Sequence, residues 1–148
     1  MSFQEKRAIA SLISTTLVSG FYFAEVYRRY SEGVFAAGED FRFWAAAILI
    51  FIPVQVVAKI ILYILAVVVQ AAVTRKEEPD ITDEMDNLID LKATRNFCFV
   101  FMAGFLLAMG ALVLSLPPVV MFVIFTLAMV VGGVILDLSQ IYYYRRGV

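Results

Sequence analysis

Four long apolar runs separated by short polar ones organise this chain, at roughly residues 8–27, 43–73, 97–116 and 118–141. A hydrocarbon core about 30 Å thick is crossed by about 20 apolar residues in a helix, so each run is long enough to span it. Only one polar stretch of any length remains, residues 74–96, and it is too short to bury a core of its own. The pattern predicts one domain over residues 1–148. Its fold class is all-α: a four-helix transmembrane bundle with an amphipathic cytoplasmic helix between the second and third spans.

The second run, FWAAAILIFIPVQVVAKIILYILAVVVQAAV, is the longest. As a straight helix it would reach ~46 Å at about 1.5 Å per residue, more than one bilayer core. It must tilt, kink at Pro53 or extend beyond the membrane. Its sole charge is Lys59, near its middle. An ammonium at that depth is costly, and the default reading is a site with a partner.

Helical spacing gathers the scattered polar residues into faces. At 100° per residue, Gln55, Lys59, Tyr63 and Gln70 fall within about 80° of one another. Ser11, Ser14, Thr15, Tyr22 and Glu25 form a stripe on the first span, and Thr126, Gly133, Asp137, Gln140 and Tyr144 one on the fourth. Such faces point inward or at a second subunit. Depth along the helices predicts a ladder: Glu25 above, Lys59 with Gln55 in the middle, Asp137 with Gln70 below. A lysine stem can lean several ångströms, so Lys59 can pair with one carboxylate and not with both. Without a ligand, the same residues read as one ion pair that fixes helix register, or as ordinary packing. Gly104-x-x-x-Ala108 and Ala128-x-x-x-Gly132 are small-residue pairs of the kind that let helices approach closely.

The polar segment reads TRKEEPDITDEMDNLIDLKATRN. Pro79 ends the preceding helix, Thr82 is a good cap, and Asp83 and Glu84 suit a helix N-terminus. Met85, Leu88, Ile89 and Lys92 then follow helical spacing, a face on which a cytoplasmic protein partner could dock. Asp83, Asp86 and Asp90 are weak metal candidates; the turn glycine of a calcium loop is missing, and a solvated acidic face explains them equally well. Nothing breaks this helix before Phe97, so it is predicted to run into the third span.

Residues 83–96, DEMDNLIDLKATRN, resemble a "DERD…I…K-A-x-R" pattern that precedes a membrane helix in uncharacterised small bacterial membrane proteins with four spans. Asp83, Glu84, Asp86, Ile89, Lys92, Ala93 and Arg95 fit it, and Met85 stands where arginine is usual. The resemblance implies four spans and a bacterial inner-membrane location, and carries no activity.

Charge sets the expected orientation. Lys6, Arg7, Arg75, Lys76, Lys92, Arg95, Arg145 and Arg146 fall on the side of the termini, against Arg28, Arg29 and Arg42 on the other. The positive-inside rule therefore predicts cytoplasmic termini in the inner (plasma) membrane. Lys6 and Arg7 ahead of an apolar run, with Val18-Ser19-Gly20 after it, also fit a leader; the run is expected to be a retained first span.

Composition adds exclusions. The chain is 62% hydrophobic where soluble domains are about 45–50%. Its net charge of −1 and lack of a basic patch give no footprint for nucleic acid. The single Cys98 allows no internal disulfide, and the absence of histidine removes the commonest metal ligand and general base. No cofactor is expected. Three functions fit: a non-enzymatic module assembling with itself, as a homo-oligomer, or with a partner; a small transporter or channel with a Lys59-centred polar pathway; and a lipid-active enzyme using Asp137 beside Tyr142–Tyr144. The first is expected, with membrane lipid as its surroundings.

Overall fold

A computed structural model describes residues 3–33, 38–74 and 84–146. They form four helices: α1 (Phe3–Glu32), α2 (Glu39–Thr74), α3 (Glu84–Val113) and α4 (Pro118–Arg146). Each is long and apolar enough to cross a membrane. The Pro79 break, the Thr82 cap and Asp83 lie outside the described residues.

The helix ends follow local chemistry. Acidic residues stand in the first turns of α1, α2 and α3, and basic residues in the last turns of α1 and α4, where each complements the helix dipole. Between α3 and α4 the chain reverses tightly. The Leu116 N–H donates to the Ala111 carbonyl and the Ser115 N–H to that of Leu112, each at 3.0 Å. Ser115 takes φ 58°, the left-handed position that glycine usually fills in this end motif. Pro117 cannot continue the helix, and Pro118 starts α4, where its missing N–H costs nothing.

α2 passes through Pro53 as one helix of 36 residues, ~54 Å long. It therefore extends well past a bilayer core at one end or both. α3 is likewise continuous from Glu84, so residues 84–96 are its first turns rather than a separate connecting helix.

α4 is the hub. It packs closely on α3, less closely on α1 and lightly on α2, while α1 also packs on α2; the backbones of α2 and α3 do not meet among the described residues. The α3–α4 contact is made by small residues. Gly104 lies so close to Ala128 that a methyl group there would collide with it, and Gly132 leaves just enough room for the Phe97 ring. Ala93, Ala108 and Ala111 are buried along the same helix. This is packing by backbone proximity, the mode that works where lipid tails remove any hydrophobic drive between helices.

The distribution of polarity runs opposite to that of a water-soluble bundle. The outer faces carry Leu49, Ile60, Leu65, Phe99 and Leu106, all exposed, whereas Ser14, Thr15, Ser19, Thr126 and Asp137 are buried. Aromatic residues close the end away from the termini: Val26, Trp44 and Ala47 form a small core with Tyr22, Phe23, Tyr30 and Phe43, roofed by Val119 and Phe122 of α4.

Candidate functional site

The centre of the site is Asp137, on α4, with none of its surface exposed. A carboxylate in such a place must be surrounded by donors. Ser11 Oγ donates to Oδ1 at 2.8 Å and Thr15 Oγ1 to Oδ2 at 2.7 Å, both from α1. Lys59 Nζ, from α2, donates to Oδ1 at 3.3 Å and supplies the countercharge. One carboxylate thereby ties three helices together. The Ser11–Thr15 spacing of four residues puts both hydroxyls on one face, one above the other, which is what two oxygens of one carboxylate require. Gly133, a turn before Asp137, has no side chain and lets the Thr15 methyl approach α4.

Lys59 keeps 38% of its side chain exposed, and no other carboxylate lies within 4 Å of its ammonium among the described residues. Its remaining surface faces a cavity of about 430 Å³ at the end of the bundle that holds both termini. Asp137 forms its floor from behind Lys59. All four helices contribute to the walls. From α1 come Gln4, Arg7 and Ser11; from α2, Lys59 and Tyr63; from α3, Asp86 and Asp90; from α4, Gln140 and Tyr144. Arg7 lies over the Tyr63 ring, 4.5 Å from its centre. Asp90 accepts from Gln140 at 2.8 Å, and Asp86 accepts from Gln4 at 3.5 Å and from the Tyr144 hydroxyl, so both carboxylates are met by neutral donors. Arg145, in the last turn of α4, donates to the nearly buried Glu5 in the first turn of α1 at 2.6 Å.

The residues singled out in the sequence are thus distributed unevenly. Lys59, Asp137 and Tyr63 line one cavity. Gln55 sits above it and donates to Ser19 at 2.7 Å, while its own carbonyl oxygen has no partner. Glu25 does not join them. Arg28 and Arg29 of its own helix hold it at 2.8 and 2.7 Å on an exposed face, because i+3 and i+4 neighbours are always in reach whereas Lys59 is two to three turns deeper. Gln70 lies in α2, and its side chain is outside those described.

The proposed docking face divides. Met85 and Leu88 are exposed, but Ile89 is fully buried in the bundle and Lys92 lies over Tyr143, 5.6 Å from its ring. A face including Ile89 is therefore corrected: the close approach of α4 takes that side of α3 for itself. Among the described residues no group of three acidic, cysteine or histidine side chains could hold a metal; Asp86 and Asp90 line the cavity instead. Asp137, the residue on which the lipid-enzyme alternative turned, is buried, with Ser11, Thr15 and Lys59 around its carboxylate.

Sequence reasoning missed Ser19, Arg7 and the facing of Asp86 and Asp90. Ser19 was detectable, being four residues beyond Thr15 on the same face. Arg7 and the two aspartates carried no such signal, since each reads as an ordinary charge near a helix end. Compared with known proteins, the chain matches no family model, no curated protein and no solved structure.

Proposed function

We propose that this protein is a non-enzymatic, multi-pass integral membrane protein that binds a polar solute or headgroup in the Lys59–Asp137 cavity, as a small carrier or transporter. The observation that carries this reading is the cavity itself. It is polar, lies among four apolar helices, and reaches inward to a cation held by a fully buried carboxylate. Intramembrane ionisable residues that meet in a cavity mark binding sites and pathways more often than they mark structure. The excess of basic residues near the termini and the pattern at residues 83–96 support a bacterial inner membrane with both termini cytoplasmic, so the cavity opens to the cytoplasm.

Accessibility tests this reading. Cys98 is the chain's one cysteine, so Cys98→Ser provides a blank background. Single cysteines at Leu62 and Leu136, on the cavity wall, are expected to react with a membrane-impermeant maleimide added from the cytoplasmic side and not from the other. If neither position reacts from either side, the cavity is closed to water and the reading fails.

A second reading has its own observation. Lys59 already has its countercharge in Asp137, so the pair needs no ligand to be satisfied. On that reading the pair fixes helix register, and the protein assembles as a homo-oligomer or with a cytoplasmic protein, using exposed Met85 and Leu88. The two separate on function: Lys59→Met protein that still folds has lost transport in the first and keeps its assembly in the second.

A further inference from the structure

The cavity's charges are segregated by wall. Its cations, Arg7 and Lys59, come from α1 and α2, and its anions, Asp86, Asp90 and Asp137, from α3 and α4. Only the pair at the floor closes. Arg7 has no carboxylate within 4 Å among the described residues, and neither Asp86 nor Asp90 has a cation within that distance. Facing walls of opposite charge, held apart around about 430 Å³, suit a ligand that carries both charges.

Lys59 and Asp86 also stand at opposite ends of the cavity's depth. Asp90 is tied to Gln140, three residues or ~4.5 Å outward from Asp137, and Asp86 lies a further helical turn out, ~6 Å. Arg7 is one turn out from Ser11, which bonds the floor. Lys59 is thus the deepest cation and Asp86 the outermost carboxylate, with Asp90 and Arg7 at similar depths between them. A zwitterionic phospholipid headgroup entering from the interface presents its phosphate deep and its ammonium outward, which suits Lys59 at depth and Asp86 at the mouth. The backbones of α2 and α3 do not meet among the described residues.

We propose that this cavity binds the headgroup of a phospholipid bearing a primary ammonium, with the phosphate between Arg7 and Lys59 and the ammonium against Asp86 and Asp90. The assignment rests on the binding-cavity reading above. A primary ammonium can donate to both aspartates in place of the Gln4 and Gln140 amides, which a quaternary ammonium cannot do.

Native mass spectrometry of the full chain in detergent tests it, with phosphatidylethanolamine, phosphatidylcholine, phosphatidylglycerol and water-soluble glycerophosphoethanolamine as probes. The ethanolamine lipid is expected to bind about tenfold tighter than the other two lipids, the worth of one or two charge-assisted hydrogen bonds. Arg7→Gln with Asp90→Asn is expected to erase that preference; neither residue is part of the buried floor. Arg29→Gln, at the far end, is expected to leave it intact. Equal binding of the three lipids, or a preference that survives the double variant, overturns the proposal. Glycerophosphoethanolamine binding as tightly as the lipid overturns the lipid source and leaves a free zwitterion as the ligand. Maleimide-accessible cavity cysteines without ethanolamine-lipid binding would defeat this inference alone, whereas unreactive cysteines would remove the cavity reading as well.

Discussion

Lys59 and Asp137 are partners of unequal freedom, and breaking their pair from either side is expected to have unequal cost. In Asp137→Asn the side-chain shape persists and one oxygen can still accept from Ser11 or Thr15. Lys59, more than a third exposed, can turn its ammonium into the cavity. The loss is then one weakened set of hydrogen bonds, about 1–2 kcal/mol. In Lys59→Met the carboxylate stays, with none of its surface exposed. Two hydroxyl donors remain, but the countercharge is gone, and stranding a buried charge costs about 3–5 kcal/mol. Reversible unfolding in mixed micelles, followed by circular dichroism, measures both variants. Asp137→Asn proving the more damaging would refute the assignment of Asp137 as the trapped charge.

Four further outcomes are expected in the same unfolding assay. Gly104→Ala brings its methyl group against Ala128 and is expected to cost about 1–3 kcal/mol by forcing α3 from α4, whereas Gly110→Ala meets nothing within 4 Å and is expected to stabilise by about 0.5–1 kcal/mol. Ser115→Gly relieves a left-handed residue with φ 58° and is expected to gain about 0.5 kcal/mol after the added freedom of the unfolded chain is counted. Gln55→Met removes one hydrogen bond to Ser19 together with a buried carbonyl oxygen that has no partner, so the change is expected to stay below about 1 kcal/mol; a loss of 2 or more would mean that the amide has a further role.

The pattern of residues determined the elements and little of their arrangement. Four runs of sufficient length must be helices where backbone groups can bond only within their own segment, and Ser115-Leu116-Pro117-Pro118 could only be a sharp reversal. The oddity of Lys59 was likewise legible, because one charge in a run of 31 residues has no propensity-based explanation. The facing of each helix was not legible. Apolar residues cover nearly all sides of α2, so hydrophobicity does not fix its rotation; contacts do, through Gln55 on Ser19 and Lys59 on Asp137. Ile89 shows the same thing on α3, where a residue that fits an outer amphipathic face turns inward because Gly104 and Gly132 draw α4 close. Glu25 and Asp137 looked equally distant from Lys59 along the chain's own geometry. Tertiary structure chose Asp137, since Glu25 has two arginines within a turn while Asp137 has no cation nearby on its own helix. A carboxylate with local partners stays with them, and one without must be met from another helix.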